Sequence, residues 1–466
     1  MLPMPNETPY RMPYIWMICL VAAMGGLLFG YDWVVIGGAK PFFERYFELT
    51  SPSQKGWANS CALVGCLLGA ILSGGLSDKF GRKRLLILAA FLFTVTSIGT
   101  GMAHSFNMFV AWRLTGGVAI GLASNLSPMY IAEVSPAKIR GMFVSVNQLT
   151  IALGVTAAQL VNYLVAESVA KGATDWQILN SWNGQMGWRW MFGLTAVPSF
   201  VFLVLMFIVP ESPRWLAKNG KPQKARKVLA KIGGGAYADA ALADIEATLV
   251  NDIEKVDFRE LLEPKMTKIL LIGVVLAVFQ QWCGINSIFN YAEEIFAAAD
   301  YGVSDTLLNI FATGAVCLVF TFVAIFTVDK LGRRALMLAG AGGLAVLYLL
   351  LGASYRGGLT GTPVLALVLA AMACYACTLA PITWVILSEI FPNRIRGGAM
   401  SVSVSALWVG CFTLTYAFPH LQQGLGIGNT FWLYSAICAA GFAFILFRLP
   451  ETKGKTLEDI ERQLVD

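Results

Sequence analysis

Twelve apolar runs constrain this chain more than any other feature. They lie at roughly 14–37, 57–76, 85–103, 108–132, 142–165, 188–209, 268–298, 306–328, 335–354, 362–391, 398–420 and 429–448. Each reaches the ~20 residues that a helix needs to cross ~30 Å of hydrocarbon. With 57% hydrophobic and 13% charged residues over 466 positions, the chain has too little polar surface to cover a soluble globule of that size. The expected fold is therefore an all-α membrane protein with twelve transmembrane helices, six on each side of one long polar segment. The first run does not read as a removable leader. Met1–Pro13 carries only Arg11 as a base, and the run itself holds Gly25, Gly26 and Asp32 with no small-residue cleavage site behind it.

The two groups of six are copies of one another. Gly74-Gly-Leu-Ser-Asp78-Lys-Phe-Gly81-Arg82-Lys-Arg84 follows span two, and Val328-Asp329-Lys-Leu-Gly332-Arg333-Arg334 follows span eight, about 250 residues later. Glu133-Val-Ser-Pro136-Ala-Lys-Ile-Arg140-Gly141 closes span four as Glu389-Ile-Phe-Pro392-Asn-Arg-Ile-Arg396-Gly397 closes span ten. Pro210-Glu211 and Pro450-Glu451 form a third echo after spans six and twelve. A membrane chain built twice over is the mark of a secondary transporter. Each echo sets an acid at a helix end and a base just beyond it. Asp78, Arg82, Glu133, Arg140 and Glu211, with Asp329, Arg333, Glu389, Arg396 and Glu451, thus form a candidate gate that zips the halves together on one side while the other is open. The competing view makes them solvated loop charges, worth ~0–1 kcal/mol each.

Bases set the orientation. Lys79, Arg82, Lys83 and Arg84, then Lys138 and Arg140, then Lys330, Arg333 and Arg334, then Arg394 and Arg396 all follow even-numbered spans. Those loops and both termini are expected in the cytoplasm. This accounts for the net charge of +6, and scattered bases in short loops argue against a nucleic-acid surface. The expected organisation is a six-helix half over 1–209, a cytoplasmic linker of short amphipathic helices over 210–267, a second half over 268–448, and a tail over 449–466. The nine cysteines fall within or at the ends of apolar runs and read as small hydrophobes, Cys374-Tyr-Ala-Cys377 included. His104 and His420 read as partnerless, and no metal site or cofactor is expected.

Polar groups inside apolar runs carry the functional signal. Gln148 in span five and Gln280, Gln281 and Asn286 in span seven are carboxamides, expensive in hydrocarbon unless hydrogen-bonded or lining a wet cavity. Each suits the vicinal hydroxyls of a sugar, and each equally suits a role as interhelical glue worth ~0.6 kcal/mol per bond. Asp32 in span one costs ~2.5–3.5 kcal/mol on insertion scales, and acids so placed mark proton relays. Arg113, near the start of span four, is its expected partner. Beside that base the acid stays ionised, and in a dry site away from it the acid takes a proton. The alternative is a static ion pair holding spans one and four together.

Several motifs taken together resemble the sugar porter branch of the major facilitator superfamily along essentially the whole chain. They are Gly25-Gly-Leu-Leu-Phe-Gly-Tyr-Asp32, Ser127-Pro-Met-Tyr-Ile-Ala-Glu133, Pro210-Glu-Ser-Pro-Arg214-Trp215, Gln280-Gln-Trp-Cys-Gly-Ile-Asn286 and Trp384-Val-Ile-Leu-Ser-Glu389. The likeness is strongest to bacterial D-xylose/proton symporters and related facilitative glucose transporters. It implies that Gln148, Gln280, Gln281 and Asn286 hold a sugar ring, and that Phe29, Trp384 and Trp408 flank it. It also implies that Asp32 couples transport to protons, since similar passive carriers have an amide there. Departures bear on which sugar is carried. Leu407 and Val155 stand where similar transporters have amides, Asn290 where a Tyr is usual, and Thr195 where xylose symporters have an acid. The expected activity is import of a monosaccharide by proton symport, with a proton-independent facilitator or a non-transporting sugar sensor as alternatives. The short tail speaks against the sensor, and two isolated histidines do not supply an enzyme's constellation. The expected setting is a monomer in a bacterial inner membrane.

Overall fold

The computed structural model describes residues 10–251, 263–391, 396–451 and 453, and among them every regular element is helical. Twelve helices are long and apolar enough to span a bilayer: Met12–Tyr46, Pro52–Phe80, Arg82–Gly101, Phe106–Val134, Ala137–Val165, Asn183–Ile208, Met266–Asn290, Val303–Thr327, Arg333–Arg356, Thr362–Leu387, Gly398–Leu425 and Ile427–Arg448. All twelve expected runs are present. Span one continues past its apolar stretch to Tyr46, carrying Lys40, Glu44 and Arg45 inside the helix. Span two starts at a capping box, in which Ser51 and Gln54 satisfy each other's backbone N–H groups and Pro52 sits in the first turn.

Small residues let backbones meet. A Cβ at Gly30 would lie 2.0 Å from the Ile151 carbonyl, and one at Gly154 would lie 2.0 Å from the Leu27 carbonyl, so spans one and five pack main chain against main chain. Two interruptions escape hydropathy. In span seven the helix stops after Trp282, turns at Gly284 (φ 89°), and resumes as Ile285–Asn290 and then Ala292–Ala297. Span ten breaks at Thr378 (φ −127°, ψ −88°). The first break sets Asn286 and Asn290 on their own short helix, at an angle the continuous helix would not give them.

Between spans six and seven, Pro213–Lys218 is followed by Pro222–Asn251, which kinks at Gly233 and Gly234. The kink folds the acidic second part back on the basic first part, and Arg226 grips both carboxylate oxygens of Asp239 at 2.5 and 2.9 Å. The stretch 252–262 and the tail beyond 453 lie outside the described residues. Among the described residues, several polar contacts between the two groups of six lie at the end of the bundle away from this linker. There Arg45 meets Glu293 at 3.4 Å, Lys171 meets Asp300 at 3.0 Å, and the Val169 N–H donates to Ser304 at 2.9 Å. His420, expected to be partnerless, lies 3.1 Å from the Ser53 hydroxyl across the same seam. A cavity of about 250 Å³ opens at the linker end among Asp78, Arg82, Glu133, Trp215 and Lys218.

Candidate functional site

From near the start of span four, Arg113 Nη1 donates at 2.7 Å to Oδ1 of Asp32, which lies near the middle of span one, with both residues buried. Arg113 also stands 5.3 Å from the Phe192 ring centroid, so an aromatic face covers the cation. The second carboxylate oxygen of Asp32 is buried without a hydrogen-bond partner, as is the hydroxyl of Thr195.

On the other side of the seam the amides of span seven form a relay. Asn286 Nδ2 donates to Gln281 Oε1 at 2.6 Å, Gln281 Nε2 donates to Gln280 Oε1 at 2.6 Å, and Gln280 Nε2 donates to the Tyr375 hydroxyl at 3.0 Å. Gln280 and Gln281 come together because they are neighbours at the end of the helix, and Gly284 turns Asn286 back toward them. Trp408 forms an aromatic cluster with Phe29 and Trp33, each pair of centroids 6.0 Å apart. The indole nitrogen of Trp408 is buried without a hydrogen-bond partner. Gln148 and Trp384 are half-buried on spans five and ten, and Asn290 is buried apart from the relay. Asn290 lines a cavity of about 10 Å³ together with Trp33, Asn59, Cys66 and Arg113. That volume matches one water, and it lies between Arg113 of the first half and Asn290 of the second.

The duplicated charges form matching clusters at the linker end. Glu211 accepts from the backbone N–H groups of Arg82 and Lys83, each at 3.1 Å, and Glu451 accepts from those of Arg333 and Arg334 at 2.9 and 3.1 Å. Glu211 thus caps the first turn of span three and Glu451 that of span nine, where unpaired N–H groups and the helix dipole favour negative charge. Gly81 and Gly332 (both φ 90°) make the turn possible, since a Cβ would sit 2.3 Å from Glu211 Oε2 or 2.8 Å from Glu451 Oε2. Burial pushes the Glu211 carboxyl above its ordinary value, while the N–H groups of Ser212, Lys83 and Arg82 pull the other way. Arg82 pairs with Glu133 at 3.0 Å and with Asp78 at 3.3 Å, and Arg333 pairs with Glu389 at 3.4 Å. Arg140 is exposed at the start of its helix. The side chains of Asp329 and Arg396 lie outside the described residues.

Residues 18–464 match the family model described as "Sugar (and other) transporter". The chain belongs to that family. It is 36% identical over 460 residues to the arabinose-proton symporter of Bacillus subtilis (strain 168), covering 98% of this chain and 97% of the relative. It is 37% identical over 486 residues to the D-xylose-proton symporter of Escherichia coli (strain K12), covering 98% and 96%. Among solved structures, the partially occluded inward-open form of the xylose transporter XylE from E. coli superposes with a TM-score of 0.84 at 36% identity, over 95% of this chain and 100% of that one. XylE bound to 6-bromo-6-deoxy-D-glucose gives 0.80 at 37% identity, over 98% and 100%.

Sequence reasoning missed three side chains that the structure brings into contacts at or near this candidate site. Tyr375 ends the amide relay but sits inside the Cys374–Cys377 motif, where the cysteines drew the attention. Trp33 adjoins Asp32 and is one turn from Phe29, a spacing that pointed to it. Lys40 lay just beyond the edge drawn for the first apolar run.

Proposed function

We propose that this chain carries a monosaccharide together with a proton across a bacterial inner membrane by alternating access, working as a monomer. Residues 1–209 and 268–448 move as the two halves, 210–267 tether them, and 449–466 form a tail. The linker end and both termini face the cytoplasm. The observation that carries the reading is the buried Asp32 carboxylate, one oxygen bound to Arg113 and the other unpartnered. Protonation weakens its hold on Arg113, which favours a different packing of spans one and four. Gln148, Gln280, Gln281, Asn286 and Asn290 supply donors and acceptors for sugar hydroxyls, and Phe29, Trp384 and Trp408 cover the apolar face of the ring.

Ion pairs between the halves close the far end, and the TM-score of 0.84 to the partially occluded inward-open xylose transporter supports an inward-facing carrier. In this state Glu133 is held by Arg82 and Glu389 by Arg333, each within its own half. The cytoplasmic gate of Asp78, Arg82, Glu133, Arg140 and Glu211 with Asp329, Arg333, Glu389, Arg396 and Glu451 zips the halves together on the inside when the outer side opens. Counterflow of labelled monosaccharides into proteoliposomes tests the reading. Exchange of at least one pentose or hexose is expected, and no exchange across a panel of both would overturn it. Thr195, standing buried where similar xylose symporters have an acid, favours a second reading, a proton-independent facilitator. That reading requires exchange without sugar-linked proton movement.

A further inference from the structure

Lys40 is fully buried on span one, two turns outward of Asp32. Its ammonium pairs with Glu44 one turn on, at 3.5 Å, and with Glu294 from the other half. It also lies 4.5 Å from the ring centroid of Tyr291. Glu44 takes a second base, Lys55 at 3.3 Å, so the four charges balance. Tyr291 and Glu294 belong to the broken part of span seven, and Tyr291 separates its two short helices. Just inward of Lys40 the seam is so tight that a Cβ at Gly37 would lie 2.3 Å from the Phe289 carbonyl. A buried cation is tolerated only while its partners stay in place, and removing one partner leaves an uncompensated charge. Part of the environment that makes the burial of Lys40 tolerable therefore comes from the opposite half, and it exists only while the far end is closed. The neighbouring Arg45–Glu293 pair is more exposed and less constraining.

We propose that Lys40 is the latch of the outer gate: Glu294 binds it when the outer side closes, and parting of this pair, with Lys40 passing to water and Glu44, is an obligatory step of outward opening. The proposal rests on the alternating-access reading, and the test separates the two. Spin labels carried by non-canonical residues at Trp176 and Leu359, both exposed at the far end on opposite halves, report the opening in the full chain in nanodiscs while avoiding the nine native cysteines. The wild type should show two distances whose weights shift with sugar. Lys40→Met leaves two acids facing each other, and Glu294→Gln removes the cross-seam charge, so each should raise the open-to-closed ratio, by about tenfold for Lys40→Met. Counterflow should slow in both. Lys40→Met with Glu294→Met removes the pair together and should close the gate again relative to Lys40→Met alone. This recovery is something a merely structural lysine would not give. Glu294→Gln decides the question if Lys40→Met does not fold. A wild type that responds to sugar while both single variants keep its distribution overturns the latch alone. A wild type with one distance under all conditions overturns alternating access and the latch with it.

Discussion

Replacing Gln281 with alanine strikes the centre of the amide relay. Its side chain accepts from Asn286 at 2.6 Å and donates to Gln280 at 2.6 Å, and all three amides are buried. Truncation strips one partner from each neighbour and removes a group proposed to meet the sugar. A buried polar group that loses its partner costs about 1–3 kcal/mol, which corresponds to about 5–150-fold in sugar affinity. Tryptophan fluorescence suits the assay, because Trp33 and Trp408 stand beside the site. Because the relay couples its members, Gln281→Ala and Asn286→Ala should not add. Their combined loss should fall short of the sum by about 0.5 kcal/mol or more. Wild-type affinity in Gln281→Ala, or strict additivity with Asn286→Ala, would refute the relay as a sugar-binding unit.

Leu407→Gln places an amide beside Trp408, in a position that is now buried and apolar, and should reorder the preference among sugars in competition assays. An unchanged ranking would show that position 407 does not face the substrate. Gly81→Ala and Gly332→Ala force a side chain into φ 90° and against the capping acids, at a cost of about 1–2 kcal/mol each. Both should unfold at lower temperature in detergent, whereas Gly74→Ala, with no neighbour within 4 Å of the added carbon, should not. Glu389→Ala weakens the gate proposed for the cytoplasmic side, so it should hold the carrier inward-open, with sugar binding kept and net uptake reduced. Cytoplasmic-side cysteine accessibility that matches the wild type would count against that gate.

The twelve spans were legible because each is an unbroken apolar stretch of bilayer length, and hydropathy needs no long-range information. The pairing of Asp32 with Arg113 was legible for a related reason, since charges deep inside apolar runs have few possible partners. The helix breaks at Gly284 and Thr378 were not, because the mean hydropathy of both spans stays high across them and only local backbone geometry differs. The echo of Glu211 and Glu451 was visible as a repeat, but its capping role was not. Each acid reaches backbone N–H groups more than a hundred residues away in the chain, a contact that no local pattern encodes. Lys40 was missed because its charge ended the apolar run by rule, whereas in the fold two acids and an aromatic ring allow the helix to continue around it.

Proton movement driven by the sugar itself tests the central claim most directly. Cells expressing the protein without an energy source should alkalinise a weakly buffered medium when the transported sugar is added. Asp32→Asn should abolish that signal, because the amide keeps the size of the acid and an acceptor for Arg113 but cannot carry a proton. One proton moving through 100 mV supplies ~2.3 kcal/mol, enough for about 50-fold accumulation of a neutral sugar, and that gradient should vanish in the variant while counterflow continues. Counterflow with no alkalinisation in the wild type would contradict the account and establish a facilitator, and loss of counterflow in Asp32→Asn would make the Asp32–Arg113 pair a structural tie between spans one and four.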